Sequence, residues 1–238
     1  MVIRVADLFS GSGSVNRYTD TLPGEFEVIS IDFKDGILGH HPSHIADITT
    51  WNYQQYPPDH FDIVWASPPC EQYSIARTTA RTPRNLELAD ALSSKALEII
   101  RYFTSTPKRV AYVIENPRTS MLWKRPHMLD MPEAAVADYC KYSDYGFQKP
   151  TKFCCNYPLE LKVCRKDSRC SHIMSPAEYL AVLAAKPYLA HKRKTGGAGA
   201  CHRNNNTISS FSYATIARVP ELLIQSIFEQ LLPQLALA

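Results

Sequence analysis

Val2-Ile3-Arg4-Val5-Ala6-Asp7-Leu8-Phe9-Ser10-Gly11-Ser12-Gly13-Ser14 opens the chain and decides the reading of its fold. The run to Phe9 is apolar and rich in β-branched residues, as a strand is, and it ends in a Gly/Ser turn. A glycine-rich turn after a strand lets the backbone pass close to a nucleotide-like ligand, with the next helix N-terminus behind it. The dinucleotide fingerprint wants a third glycine where Asn16 stands, so the turn points away from a nicotinamide or flavin cofactor. A plain structural turn is the alternative until the neighbouring segments are read.

Outward from this turn, strand-like and helix-like segments alternate. Residues 26–32, 61–66 and 110–114 read as further strands, ending in Asp32, in Ser67-Pro68-Pro69-Cys70, and in Glu115-Asn116-Pro117. Between the last two, Leu86, Ala89, Leu92, Ala96, Ile99, Ile100 and Phe103 recur at helical spacing over 85–104. Alternation of this kind predicts an α/β fold, a mostly parallel sheet with helices on both faces. Ligands of such sheets bind at the carboxyl ends of the strands, where the unusual residues sit here. Residues 134–142 read as a strand or a short helix, 152–155 as a short strand, 176–185 as a helix capped by Ser175, and 220–232 as a closing helix.

The chain has 238 residues, enough for one α/β domain and a small appended lobe. Its formal net charge of +3 neither requires nor excludes a nucleic-acid partner. Lys186, His191, Lys192, Arg193, Lys194, His202 and Arg203 crowd into one Gly-rich segment, a solvated loop or a phosphate contact. The apolar run 224–237 is broken by Gln225, Ser226, Glu229 and Gln230, so no membrane span is expected. The first residues enter a strand at once, without the pattern of a signal or transit peptide, and a cytoplasmic protein is expected. Seven cysteines, an odd number, argue against a disulfide framework and for core thiols, metal ligands or nucleophiles. Cys155, Cys164, Cys170 and His172 form a candidate zinc site, although the spacing lacks a tight Cys-x2-Cys knuckle.

Three further groups carry chemistry. Asp32, at a strand end behind the glycine turn, can accept hydrogen bonds from the ribose hydroxyls of a nucleoside, and Asp47 can bind an adenine amino group; each alone also reads as a turn residue or cap. Pro68-Pro69 fixes the backbone and presents Cys70 rigidly, as a nucleophile needs; a buried structural cysteine is the alternative, which the prolines disfavour. Glu115, at the end of a strand in the same sheet, can face the cleft of Cys70, so a thiol and a carboxyl converge.

Taken together, 7–14, Pro68-Pro69-Cys70 with Ser74, and Glu115-Asn116 resemble, in order and spacing, the motifs of the C5-cytosine DNA methyltransferase family. The resemblance covers 2–118 and is most similar to a short, phage-type branch, since Pro117 replaces the usual valine-like residue. It implies a Rossmann-like fold that binds S-adenosylmethionine through Asp7, Leu8, Phe9, Ser10, Gly11, Gly13, Ser14, Asp32, Phe33, Asp47, Ile48 and Pro68. Cys70 would be the nucleophile at cytosine carbon 6 and Glu115 the group at ring nitrogen 3. Ser67, Pro69, Ser74, Asn116 and Gln148 would contact substrate. The family's glutamine followed by two alternating arginines resembles Gln148-Lys149-Pro150-Thr151-Lys152, with Pro150 and Lys152 at the arginine positions. Lys152 is thus the expected catalytic cation, without a bidentate fork.

The implied organisation is a catalytic domain over 1–155, a small recognition lobe over 156–218 and a helix over 219–238 returning to the first domain. Lys192 and Arg193 in the lobe would contact nucleic acid. The expected partner is double-stranded DNA with the target base flipped out, in a bacterial or phage-infected cell, with the chain a monomer. Two alternatives stand beside it: a cytosine C5 methyltransferase of RNA or nucleotides, and a catalytically silent nucleic-acid-binding homologue.

Overall fold

Val5, Ile63, Ala111 and Val113 alternate along their strands with Ala6, Val64, Tyr112 and Ile114, and the two sets pack into separate cores. A strand buried on both faces requires this period of two. The structure is a computed structural model, and it describes residues 2–75, 77, 80–143, 148–164 and 218–236.

Among the described residues one seven-stranded sheet forms from β1 (Ile3–Leu8), β2 (Phe26–Asp32), β3 (His44–Ile45), β4 (Ile63–Ala66), β5 (Ala111–Pro117), β6 (Ala135–Asp138) and β7 (Pro150–Cys155), in the order β3-β2-β1-β4-β5-β7-β6. β1 to β5 run parallel, and β7 lies antiparallel between β5 and β6. Helix α2 (Leu86–Thr104) covers one face with Leu97, Ile100 and Phe103. Helices α1 (Ser14–Thr19) and α3 (Glu221–Ala236) cover the other with Val15, Tyr18, Ile227, Phe228 and Leu231. The fold is the Rossmann-like α/β architecture that the alternation predicts.

From β1 the chain turns to β2 on one side, while β4 lies on the other. That reversal opens a crevice at the carboxyl ends of β1 and β4. The glycine turn and the Pro-Pro-Cys turn both leave the sheet there, and the Ser67 N–H donates to the Leu8 carbonyl at 3.1 Å, tying the two together.

Several boundaries differ from the sequence reading. β5 runs on through Glu115, Asn116 and Pro117 because β7 pairs with them, Glu115 opposite Phe153 and Asn116 opposite Lys152. Residues 134–142 divide into β6 and a single 3-10 turn at Tyr139–Lys141. α3 continues past 232 to Ala236 and takes in Pro233. The stretch 156–164 is bound to the sheet and to α3: Asn156 bridges the Val110 carbonyl and the Tyr112 N–H, the Glu160 N–H donates to Gln230, and the Cys164 N–H donates to Asp138. The expected helix at 176–185 lies outside the described residues. No helix among the described residues is long and apolar enough to cross a membrane.

Candidate active site

The glycine-turn side of the crevice is built on left-handed backbone. Phe9 (φ 61°), Gly11 (φ 52°) and Gly13 (φ 67°) turn the chain sharply after β1. Gly13 is needed twice over, for its φ and for space, because a Cβ there would stand 2.4 Å from the His40 ring. Asp32 is drawn onto this turn: its Oδ2 accepts the Gly11 N–H at 2.8 Å and its Oδ1 the Lys34 N–H at 2.9 Å. The next residue, Phe33, is 71% exposed, an aromatic face open at the strand end. Ser14 accepts the Val219 N–H and joins the turn to the start of α3.

Asp7 is buried, and its Oδ2 has no hydrogen-bond partner among the described residues. Burial first, and the Asp32 charge second, hold its carboxyl well above the ordinary range. An orphaned acid beneath a glycine turn lacks a donor or a cation. S-adenosylmethionine carries both an ammonium and a sulfonium, so these residues fit it. His40, which sequence reasoning missed, lies over the same turn with Nε2 3.2 Å from Ser10 Oγ. Burial, then Arg17, lowers its pKa. Thirty residues separate the two, and no local pattern signals their contact. Asp47 and Ile48 follow the short strand β3. Asp47 Oδ1 accepts from the Thr49 N–H and hydroxyl, which lowers its pKa, and the Ile48 side chain is buried in the core.

On the other side of the crevice, three bonds fix the turn before Cys70. Besides the Ser67–Leu8 bond, Trp65 Nε1 donates to Ser67 Oγ at 3.0 Å, and Asn116 Nδ2 donates to the Pro68 carbonyl at 2.8 Å. Pro69 is exposed and Cys70 half-buried. Beyond it, the Tyr73 hydroxyl bonds Asp90 and Ser93 of α2, and Arg84 donates to the carbonyls of Gln72 and Ser74.

Glu115 is buried beside this turn. Its Oε1 accepts the Tyr139 hydroxyl at 3.1 Å. Burial raises its pKa, against the opposing pull of Lys149 and of hydrogen bonds from Tyr139 and Ser67. Burial, then the Glu115 charge, raises the Tyr139 phenol well above its ordinary value. The Lys149 Nζ lies 4.4 Å from the centroid of the Tyr139 ring, and the charges of Glu115 and Cys70 both act on it. Lys152 stands apart. It pairs with Asn116 in the sheet and places its ammonium 5.7 Å from the centroid of Trp123. The structure therefore brings Cys70, Glu115, Tyr139 and Lys149 together, and of these sequence reasoning found the first two. Gln148 meets the group through its backbone, accepting the Tyr139 N–H at 3.1 Å.

Lys192, Arg193, Cys170 and His172 lie outside the described residues. Zinc finds no support among those described, where no three His, Cys, Asp or Glu side chains gather as metal ligands do. Cys164 packs against Cys140, whereas Cys155 packs in the α3-side core with its thiol pushed up to about 11 by burial.

A parallel sheet with its strand order reversed at a glycine turn, and a Pro-Pro-Cys turn beside a buried glutamate, define a methyltransferase of Rossmann-like fold. No family model matches the chain. The "Probable DNA (cytosine-5)-methyltransferase" of Frog virus 3 (isolate Goorha) is 32% identical over 161 residues, spanning 63% of this chain and 69% of its own length. The chain belongs to the C5-cytosine methyltransferase family and is an enzyme of that class. The solved structure of the Entamoeba histolytica methyltransferase EhMeth shares the fold, with a TM-score of 0.55 over 99% of both chains at 11% identity. The Dnmt2 methyltransferase of S. pombe aligns over 78% of this chain and 67% of its own, with a TM-score of 0.45 at 15% identity.

Proposed function

We propose that this chain transfers a methyl group from S-adenosylmethionine to carbon 5 of cytosine in DNA, with Cys70 as covalent nucleophile. The observation that carries the reading is the convergence of Cys70 with buried Glu115 beside the glycine turn. Asp7, the 9–13 turn, Asp32 and Phe33 would hold the cofactor, which supplies an electrophilic methyl group when bound.

Carbon 5 of cytosine is a poor nucleophile, and the residues present correct that. The Cys70 thiolate bonds to carbon 6, and the electrons of the 5,6 double bond move toward carbon 5 and ring nitrogen 3. Glu115, whose protonated form is favoured by burial, donates at nitrogen 3 and stabilises that charge. The Tyr139 hydroxyl, donating to Oε1, and the hydrogen bond from Ser67 hold the carboxyl in place for that role. Carbon 5 takes the methyl group as the sulfur–methyl bond breaks to leave a neutral thioether; a base then removes the carbon 5 proton, the nitrogen 3 proton returns to Glu115, and the 5,6 double bond re-forms as the thiolate leaves. Attack at carbon 6 needs the face of the ring, so a duplex base must leave the stack. In this reading 1–155 is the catalytic domain, 156–218 the recognition lobe and 219–238 the returning helix.

Labelled methyl donor incubated with duplex DNA, RNA and cytidine nucleotides tests the reading. Label is expected in DNA, and bisulfite sequencing then gives the target site. Label in RNA alone moves the substrate to that polymer. Cys70→Ser is expected to abolish transfer while cofactor binding persists; undiminished transfer removes the covalent step.

A further inference from the structure

We propose that Lys149, rather than Lys152, is the counter-cation of the Cys70 thiolate. The inference rests on Cys70 being the nucleophile.

The geometry begins in the backbone. Lys149 has φ 25°, a left-handed conformation that a side-chain-bearing residue adopts only when its surroundings hold it there. Those surroundings are visible. The Gln148 carbonyl accepts the Tyr139 N–H at 3.1 Å, and the Lys149 carbonyl accepts the Thr151 hydroxyl at 3.2 Å. The kink breaks the strand alternation just before β7 and sends the Lys149 side chain over the Tyr139 ring, whose hydroxyl is bonded to Glu115. An ammonium over an aromatic face is attracted by the ring and held in place. Lys152, inside β7, follows the regular alternation and goes to Trp123.

Among the described residues, the charges of Cys70 from the turn after β4 and Glu115 from β5 act on the Lys149 ammonium, and the Tyr139 ring it lies over comes from the turn after β6. Burial lowers its pKa, and the charges of Glu115 and Cys70 work against that lowering. Charge balance assigns the states. Glu115 must be protonated to serve ring nitrogen 3, and Tyr139 is neutral. The one anion the reaction then requires is the thiolate, and the ammonium beside it makes the cluster neutral. A thiolate near a lysine is favoured over the thiol, because the ammonium's attraction opposes the cost of burying the anion.

The test reads the thiol directly. The rate of Cys70 alkylation by iodoacetamide is followed against pH, with the modified site located by peptide mass spectrometry. Lys149→Gln is expected to move the pH of half-maximal alkylation up by about one unit, roughly a tenfold loss of thiolate at a pH below both midpoints. Lys149→Arg restores the profile. Lys149→Met keeps a stem over the Tyr139 ring without the charge and serves as the second neutral variant. Cofactor binding by calorimetry shows that each variant is folded. A wild-type profile in both neutral variants overturns the proposal, and so does a shift produced by Lys152→Gln instead. Loss of the covalent step would show separately, as transfer by Cys70→Ser with the alkylation result intact.

Discussion

Asp7 and Glu115 are carboxyls taken out of water, and each is raised in pKa chiefly by that burial. A carboxyl whose folded pKa lies above its unfolded value favours folding most at pH below the unfolded value. That contribution is lost as pH rises through the folded pKa. Near neutral pH both residues therefore oppose folding when ionised, which marks them as sites retained for chemistry. For Asp7, whose Oδ2 is orphaned, the consequence is a reciprocal effect of Asp7→Asn. Without ligand, the melting temperature at pH 8 should rise, and the gain should shrink toward acid as the wild-type carboxyl protonates. With S-adenosylmethionine present the order should reverse, because the lost charge-assisted bond weakens binding by about tenfold or more. Thermal melts across pH with and without cofactor, beside calorimetric titration, give both quantities. Unchanged cofactor affinity would remove Asp7 from the cradle.

At the scale of elements, the Cys70 turn is held by parts distant in sequence. Tyr73, three residues on, is fully buried and joins Asp90 and Ser93 of α2. Asp90 in turn takes the Arg125 guanidinium at both oxygens, and Ser93 meets His127. Tyr73→Phe leaves Asp90 and Ser93 with one partner fewer, and should cost about 1–2 kcal/mol in urea unfolding. If the clamp aims Cys70, transfer should fall with it while cofactor affinity stays. An equal loss of both would make the hydroxyl a matter of stability alone. The elements themselves were legible wherever the signal is local. β2 falls where its apolar run predicts, and α2 differs by one residue, because Asn85 is the cap, accepting the Leu88 N–H, not the first helical residue. The pairing of β7 with Glu115 and Asn116 is not local, so β5 read as ending too early. The same reason hid Tyr139 and Lys149. Their value comes from a 3-10 turn and a kink meeting Glu115 across the sheet, whereas Cys70 and Glu115 sit in motifs with their own adjacent signatures.

For the whole molecule, the order of burial along the chain matters most. The face of β1, β4 and β5 that carries Val5, Trp65 and Val113 is covered by α3, which comes last. Phe228 of α3 meets Tyr18, Phe26 and Trp65 with ring centroids 5.6–6.2 Å apart. The first-half sheet, with only the short α1 on its second face, completes that burial when the C-terminal helix returns, a contact of long sequence separation that slows folding. Both ends of 165–217 are nonetheless tied into the described structure. The Cys164 N–H donates to Asp138 beside β7, and the Val219 N–H donates to Ser14 at the head of α1. Among the described residues, α2 covers one face of the sheet and α1 with α3 the other. Replacing 165–217 with a Gly/Ser linker, whose closure cost grows only slowly with length, should therefore leave a folded protein. It should bind S-adenosylmethionine with near wild-type affinity and keep the Cys70 alkylation profile. Duplex DNA affinity should fall, because Lys192, Arg193 and their basic neighbours are removed, and the salt dependence of the remaining binding should flatten with the lost phosphate contacts. Calorimetry for the cofactor and fluorescence anisotropy on a DNA duplex at several salt concentrations separate the two effects. Undiminished DNA binding by the shortened chain would place recognition on the sheet's own loops instead of the lobe.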